Sequence, residues 1–533
     1  MVSQGLTWNP KTELSGQEVM LLKTVKRTKK LFGFLRNQRL QLFDESFQTE
    51  LAAVYRDTGA GRAPHPPAFL AMVVILQAYT GVSDAEAVQR SVVDLLWQMV
   101  LDRLGATAPA FSQGALHNFR QRLIEHDLDR RLLERTAELA TTLGAFDGKK
   151  LPKTLRVAID SKPLVGAGRV EDTINLLGHA ARDVVRCTAS LLDRSFETVA
   201  ADAGIPLLLE SSIKVALDTD WTNTKSKSRA LQRLLKQIQA LFKYVEDELP
   251  GPSAEPPLIG TLGALKQIMD QDLEPDPGGL NPNQRPIKRG VAKDRRISLQ
   301  EKEMRHGRKT RTKLFNGFKQ HIAVDLDRRL VLACCVVSAN RREFDALPEL
   351  DDDLAYYGSH VDELHVDRGY VTPGLSTNRK EAGCKVISKP NQMPNNGGRY
   401  TKRDFHFNLR KMTVTCPAKE TQAFSPGTVL KFDVATCQAC PSKTACTKSE
   451  KGRSLTIAED ELAQQRFLRL AQSRPGRTEL RERIGVEHRL AHMQQKQGDR
   501  ARYIGIRTNQ FDLRRTAAVL NLEMVSHELG KAA

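Results

Sequence analysis

Apolar residues in the first 148 positions recur at the spacing of helices that each bury one face. They lie three to four residues apart in the segments 69–77 and 92–100. Ser83 and Ser112 each precede such a segment and are of the residue type that caps a helix start. The first 148 residues are therefore predicted to be all-helical.

The pattern changes at LRVAID, a short apolar run that predicts a buried strand ending at Asp160. Helical patterning returns over about 170–275, and the proline- and glycine-rich stretch 275–286 predicts a linker. GFKQHIAVD and RLVLACCVV then predict a β-hairpin. A helix over 344–354, the strands DELHVD and CKVISK, and a long helix around Glu487 complete the pattern. The predicted fold class is α/β, a mixed sheet interrupted by insertions after an all-α region.

Positive charge is concentrated in one segment. The chain of 533 residues has room for three or four domains of about 150 residues. It carries 81 Lys and Arg against 63 Asp and Glu, a net charge of +18. The 29 residues from Arg285 to Lys313 hold 12 basic and 3 acidic residues, half of that surplus. A solvated linker could carry such a run, but its concentration favours contact with nucleic-acid phosphates, with an anionic membrane surface second.

Composition excludes several classes of protein. Hydrophobic residues make up 40% and charged residues 27%, as in folded proteins. The longest apolar stretch, 69–82, is short and contains Gln77 and Thr80, so it predicts a buried helix and no membrane span. The start MVSQGLTWNP does not resemble a secretion signal, and eight cysteines are too few for a disulfide scaffold. A cytoplasmic location is expected.

Three acids are candidates for chemistry. Asp160 and Asp367 follow predicted strands, and strand ends are where open α/β sheets place their ligands. Either one alone could simply cap the next turn. Glu487 lies on the predicted helix one turn after Arg483, so the two share a face, and a solvated ion pair is the alternative there.

Four of the eight cysteines fall within 31 residues. Cys437 and Cys440 have the spacing of a metal knuckle, with Cys446 following and Cys416 preceding them. Four thiolates could close a tetrahedral structural Zn²⁺ site, whereas the alternative is four ordinary reduced thiols in an insertion. The remaining cysteines lie in apolar runs and are predicted to be core residues: Cys187, Cys334, Cys335 and Cys384.

Several blocks occur in an order and spacing that match a known family. These are VAIDSK, MRHGRKTRTKLFNGFKQHIAVD, VVSANRREFDAL, HVDRGY and RERIGVEHRLAHM. They resemble successive blocks of the DDE transposases of bacterial insertion sequences. The segment GVSDAEAVQRSVVDLLWQMVLD and the later FSQGALHNFRQRL resemble the helical N-terminal domain of that group.

The resemblance implies an RNase H-like catalytic core in which Asp160, Asp367 and Glu487 match three metal-binding carboxylates. The chemistry agrees, because two divalent ions about 3.5–4 Å apart can promote phosphodiester cleavage. Mg²⁺, or Mn²⁺ in its place, is bound through such oxygen ligands. The last family motif has a tyrosine and a lysine where this chain has Leu480 and Gln494.

The implied function is a DNA transposase that binds terminal inverted repeats, cleaves DNA and joins the freed 3′-hydroxyl to a target. Its expected partners are double-stranded DNA and, on DNA, a second copy of the chain. The alternatives are an inactive DNA-binding regulator or relic and, less well supported, a stand-alone nuclease. The residues expected to contact DNA are Arg120, Arg305, Arg308, Lys309, Lys313, Lys319 and Arg483.

The expected domain organisation follows from these patterns. A helical DNA-binding domain (1–148) precedes the first strand of the core (149–171). A mainly helical insertion and linker (172–284) separates that strand from the basic segment and the rest of the core sheet (285–400). A cysteine-rich insertion (401–455) and C-terminal helices that complete the core (456–533) follow.

Overall fold

The computed structural model describes residues 6–26, 28–55, 64–146, 152–249, 256–275, 285–393 and 397–532. Most of the predicted linker, and the first five residues of the N-terminal segment, lie outside the described residues.

The described N-terminal residues are helical, as predicted. Ser83 and Ser112 cap helices by accepting hydrogen bonds from the amides of Glu86 and Ala115. The helices are α1 (Gly16–Val25), α2 (Lys30–Leu42), α3 (Glu45–Ala52), α4 (Pro67–Thr80), α5 (Asp84–Val93), α6 (Leu95–Val100), α7 (Gln113–Glu125) and α8 (Leu128–Thr142).

Helix α4 is the centre of this region. Its residues are buried from Pro67 to Ala78, which explains its apolar composition. The C-terminal helix α21 (Ile506–Ala532) packs against it, and Phe511 and Val519 join the same apolar cluster. Among the described residues no single helix is long and apolar enough to cross a membrane, although α4 and α5 together reach that length as a pair bent by 102°.

A mixed sheet forms the centre of the molecule. Its strands, within the described part of the chain, are β1 (Thr154–Val165), β2 (Arg305–Arg308), β3 (Leu314–Asp325), β4 (Val331–Ser338), β5 (His360–Val366) and β6 (Lys385–Ile387). Strand β3 pairs antiparallel with β2, β4 and β1, whereas β1–β5 and β5–β6 are parallel. The predicted α/β class and hairpin are confirmed.

Helices cover both faces of the sheet. Ala158 and Leu164 of β1 face a cluster that includes Val486 and Leu490 of α20 (Ile484–Gln497) and part of α21. Alternate residues of β1, such as Val157, face a second cluster with α14 (Leu347–Ala355). This alternation is the period-two pattern of a strand buried on both sides.

The segment between β1 and β2 folds around a separate apolar cluster. It is helical, as predicted, and its longest helix presents Leu234, Ile238 and Leu241 to that cluster. Its helices are α9 (Thr173–Leu191), α10 (Phe196–Asp202), α11 (Ile213–Ala216), α12 (Thr224–Glu248) and α13 (Pro256–Asp272).

Helix α15 (Pro373–Glu381) precedes β6, and the cysteine-rich region follows that strand. The cysteine-rich region consists of short elements: β7 (His406–Asn408), β8 (Thr413–Thr415), β9 (Thr421–Ala423), β10 (Val429–Lys431), α16 (Val434–Gln438), α17 (Lys443–Cys446) and β11 (Ser454–Thr456). Helices α18 (Glu461–Gln472) and α19 (Arg474–Glu482) lead into α20, so the long helix predicted around Glu487 is broken at Arg483.

The pairing of β1 with β3 depends on Gly317, whose φ of +149° is open to glycine but strained for other residues. An added Cβ would overlap the carbonyl oxygen of Leu164 and the amide nitrogen of Gly166.

We therefore expect Gly317→Ala to lower the free energy of unfolding by about 3 kcal/mol, measured by urea unfolding. Gly263→Ala is the control: it lies in α13 with open space around it and should stabilise by no more than about 1 kcal/mol. Equal effects of the two changes would contradict this prediction.

Candidate active site

Parallel pairing of β1 with β5 brings Asp160 and Asp367 side by side. The last paired residues are Ile159 and Val366, and the two aspartates are the next residues along the chain in each case. Neighbouring strands run about 4.8 Å apart. Asp160 is not at the end of β1, as the sequence suggested, because antiparallel pairing with β3 extends the strand to Val165. It lies where the parallel pairing ends.

Arg483 connects Asp160 to Glu487. It occupies the break between α19 and α20, and its Nη1 lies 3.0 Å from Oδ2 of Asp160. Its Nη2 donates to Oε1 of Glu487 at 2.7 Å, one helical turn further on. The packing of α20 on the sheet through Val486 and Leu490 holds this arrangement in place. The structure therefore brings Glu487 to the same end of the sheet as the two aspartates.

The electrostatic environment of Asp160 includes the other two acids. Burial raises the pKa of Asp160, and the negative charges of Glu487 and Asp367 raise it further. The positive charge of Arg483 and a hydrogen bond from the Ser161 amide oppose this rise. The Asp160 side chain is 18% exposed and that of Glu487 is 49% exposed. The acids thus form a concentration of negative charge that opens to solvent and is partly neutralised by one guanidinium.

The donor set is suited to a hard divalent cation, although its present geometry is not that of a metal site. In the described part of the chain, no group of three His, Cys, Asp or Glu side chains is arranged to hold a metal ion. Three carboxylates near one another supply the oxygen ligands that Mg²⁺ and Mn²⁺ accept. Arg483 competes for the same oxygens, so metal binding would require it to release Asp160.

A buried polar pair lies beneath this end of the sheet. His321 of β3 is opposite Ser161 in the register, and its Nδ1 lies 2.6 Å from the hydroxyl oxygen of Tyr370. Burial lowers the pKa of His321 to about 3, so its imidazole is neutral. The pair anchors the turn that follows Asp367 to the sheet.

Glu343 is a fourth acid at the site that sequence reasoning missed. Its Oε1 accepts a hydrogen bond from the Ser161 hydroxyl at 3.2 Å. Its carboxylate also lies against Gly369, where any Cβ would overlap it. Glu343 therefore contacts the residues that follow Asp160 and Asp367. Its block, VVSANRREFDAL, was recognisable, but a glutamate after two arginines is typical of a surface ion pair.

Two family models match the chain. A model described as a transposase DDE domain matches residues 408–526, and a transposase domain model (DUF772) matches residues 29–122. The two matches support a DDE transposase of insertion-sequence type. The expected resemblance is confirmed. No curated protein and no solved structure matches the chain. In this transposase the DDE match contains Glu487 and the four clustered cysteines, whereas Asp160 and Asp367 lie upstream of it.

Some of the basic residues expected to contact DNA are accessible near the sheet, whereas others are buried and paired with acids. Arg308, Lys309 and Lys313 are exposed at the turn between β2 and β3. Lys319 is half-buried, and its Nζ donates to the Arg341 carbonyl at 2.7 Å. These residues lie along strands that belong to the candidate active-site sheet.

The expectation that Arg305 contacts DNA requires a correction. Its side chain is only 12% exposed and pairs with Asp294 at 2.9 Å. It also donates to the carbonyl groups of Lys302 and Met304. Arg305 therefore fixes the segment that enters β2, and the structure does not favour DNA contact.

The expectation that Arg120 contacts DNA requires the same correction. It is buried, its Nη2 donates to Oδ2 of Asp84 at 2.6 Å, and its Nη1 donates to the Tyr503 hydroxyl at 3.0 Å. Burial alone would raise the pKa of Asp84, but hydrogen bonds from Arg120 and Gln77 outweigh it and lower the pKa overall. Arg120 thus joins α7 to α5 and to the segment before α21, and does not face solvent.

The four clustered cysteines line one cavity of about 300 Å³. Burial raises the pKa of Cys446, and the nearby Cys437, Cys416 and Cys440 thiols raise it further, whereas Arg453 lowers it. Of the other cysteines, Cys334, Cys335 and Cys384 are buried as predicted and Cys187 is half-buried: these lie outside the cluster.

Replacing Arg120 tests its structural role. We expect Arg120→Met to lower the free energy of unfolding by about 3 kcal/mol, because Asp84 would lose its ion-pair partner. The folded pKa of Asp84 lies below its ordinary value of 3.8, so the pair stabilises above about that pH. Urea unfolding of wild type and variant should therefore differ at pH 7 and converge as the pH falls below the ordinary value.

The matched control is His117→Ala, an exposed position on the same helix, which should change stability by no more than about 0.5 kcal/mol. Adding Asp84→Asn to Arg120→Met should recover part of the loss. A stable Arg120→Met variant that binds DNA weakly would instead restore the assignment to DNA contact.

Proposed function

We propose that this transposase cleaves DNA at the ends of its element and joins the freed 3′-hydroxyl to target DNA. The observation that supports it is the meeting of Asp160 and Asp367 at the end of the β1–β5 pairing, with Glu487 joined to Asp160 through Arg483. Three acids at one end of a mixed sheet are also consistent with an RNase H-like core. No observation favours the alternative of an inactive DNA-binding regulator or relic.

Asp160, Asp367 and Glu487 would hold divalent ions, Mg²⁺ or Mn²⁺. When bound, such ions relieve the charge on the phosphate and activate the attacking oxygen. The remaining work belongs to this chain. The Ser161 amide donates a hydrogen bond to Asp160, and Glu343 accepts one from the Ser161 hydroxyl. These contacts would hold the Asp160 carboxylate in position. Arg483, once released from Asp160, is placed to contact the phosphate that is cleaved.

Double-stranded DNA would lie across the basic turn between β2 and β3. Arg308, Lys309 and Lys313 are exposed there and are free to approach phosphates, which supply most of the affinity for DNA. Lys319 and Arg483 lie further along towards the acids. Because two element ends must be joined, we propose that a homodimer forms on DNA.

The role of the three acids in cleavage is tested by measuring DNA cleavage and DNA binding separately. We expect Asp160→Ala, Asp367→Ala and Glu487→Ala each to lower Mg²⁺-dependent cleavage of a labelled element end by at least about 1,000-fold, because each removes a metal ligand. Affinity for the same DNA in a gel-shift assay should change by less than about 3-fold, because the basic residues remain. Asp362→Ala, an exposed acid on β5, is the matched control and should cleave normally. Cleavage by Asp160→Ala would exclude the proposed site.

We further propose that Cys416, Cys437, Cys440 and Cys446 hold a structural Zn²⁺. Their thiols line one cavity, and four thiolates form a closed tetrahedral site. The surrounding region is built from short strands, and its apolar cluster has seven buried residues among those described. A core this small usually needs a metal or disulfides for stability. As placed, the thiols do not form a metal site, so metal binding would require their side chains to move closer together.

Zinc analysis tests this proposal independently of DNA cleavage. Purified full-length protein should contain about one zinc per chain. Cys437→Ser combined with Cys440→Ser should lose the metal and expose the region 397–458 to limited proteolysis. Cys187→Ser, outside the cluster, should do neither. Protein purified without chelator that contains no zinc and four titratable thiols would contradict the proposal.

A further inference from the structure

Helix α20 borders a second cavity, which is lined by His488 and Arg489 of this helix. This cavity has a volume of about 490 Å³ and lies against the turn between β3 and β4. Its lining combines five basic side chains with two acidic ones, Asp325 and Glu482, and with apolar side chains such as Met524. The basic residues are Arg156, Arg329, His488, Arg489 and His492.

Arg489 is a buried cation with no ion-pair partner among the described residues, although the negative charge of Glu523 acts on it from a distance. It is 7% exposed, and its Nη2 is buried without a hydrogen-bond acceptor among the described residues. Within the same residues no ion pair includes Arg489. A guanidinium stays protonated at neutral pH, so Arg489 carries a full positive charge there. A buried, unpaired charge is strongly destabilising, and a site of this kind is normally completed by an anion.

The acids nearest to Arg489 are already engaged. Asp325 accepts hydrogen bonds from the amides of Asp327 and Arg328, at 2.9 Å and 3.3 Å, and from the Arg328 guanidinium. Glu482 pairs with Arg156. Glu523, on the adjacent helix α21, pairs with Lys496 at 2.8 Å. These contacts leave the guanidinium of Arg489 for a ligand.

We propose that this cavity binds a phosphate group of the DNA backbone, with Arg489 as its buried donor. A guanidinium matches the geometry of phosphate by donating two parallel hydrogen bonds. Arg329 and the exposed His488 and His492 lie at the entrance and would add positive charge or donors there. The proposal rests on the proposed function, because it assigns the phosphate to the DNA that the transposase cleaves.

The position of the cavity suits a strand that also reaches the acids. Arg156 lies on β1 four residues before Asp160 and on the same face of the strand, a separation of about 13 Å. The axial rise of duplex DNA is about 3.4 Å per base pair, so this separation corresponds to about four nucleotides. A phosphate held at Arg489 would therefore fix the DNA a few nucleotides from the bond that is cleaved.

Inorganic phosphate tests the cavity directly. In full-length wild type we expect millimolar phosphate to raise the thermal unfolding midpoint by about 2 °C relative to chloride at equal ionic strength. Arg489→Met should abolish that rise, and it should unfold no earlier than wild type without phosphate, because it removes an unpaired buried charge. Arg186→Met, which removes an exposed arginine paired with Asp183, should keep the response. An equal phosphate response in wild type and Arg489→Met would overturn the site.

Duplex DNA tests the source of the phosphate. The slope of log Kd against log salt concentration for an element end should be smaller by about one in Arg489→Met than in wild type, and unchanged in Arg186→Met. A phosphate response without this change in slope would overturn the assignment to the DNA backbone. Cleavage is measured on the same samples. If Arg489→Met lowers the slope but wild type does not cleave the element end, the proposed function is wrong. If wild type cleaves normally but Arg489→Met leaves the slope unchanged, only this inference is wrong.

Discussion

The parallel pairing of β1 with β5 determines the chemistry available to this chain. It aligns Asp160 with Asp367 although the helical segment α9–α13 and a hairpin separate them along the chain. Placing Asp160 in a partly buried position beside two other carboxylates is unfavourable, because burial and the negative charges of Glu487 and Asp367 disfavour its ionisation. A cation is required there. Arg483 supplies one, since the break between α19 and α20 points its guanidinium at Asp160 and Glu487.

Helix α21 explains why the N-terminal helices and the sheet form one packed unit. It contributes Phe511 to the cluster around α4 and Leu513 to a cluster on the sheet. A continuous series of hydrogen bonds and ion pairs also runs from β3 through α20 and α21 to α7. It consists of Gln320, Gln497, Asp512, Arg515, Gln77, Asp84 and Arg120. Buried polar groups must be paired, so this series fixes how the two regions meet.

Local patterns in the sequence were sufficient to predict the helices, the hairpin and the two strands that precede Asp160 and Asp367 or contain them. Alternation, capping residues and turn residues act over a few positions and are visible without tertiary information. The roles of Arg120 and Arg305 were not visible, because their burial depends on Asp84 and Asp294, acids that only the fold brings near. The extent of β1 depends likewise on its antiparallel partner.

Glu343 and Arg489 illustrate the same limit, the first at the candidate active site and the second at the cavity beside α20. A sequence shows that a residue is charged but not whether its charge is balanced. Glu343 becomes informative because Gly369 leaves room for its carboxylate, and Arg489 because the neighbouring acids already have partners. Unusual local environments of this kind are produced by packing and concentrate at functional sites.

The surplus of basic residues over 285–313 serves two purposes that composition alone could not separate. Arg295 pairs with Asp272 of α13, and Arg285 lies near Asp270 of the same helix, so these cations fasten the helical insertion to the segment that enters the sheet. Arg308, Lys309, Arg311 and Lys313 are exposed at the turn between β2 and β3. Charge that is already paired releases no counterions when DNA binds, whereas exposed charge does. Affinity for DNA in this segment should therefore come from the exposed turn, on strands that run directly towards Asp160.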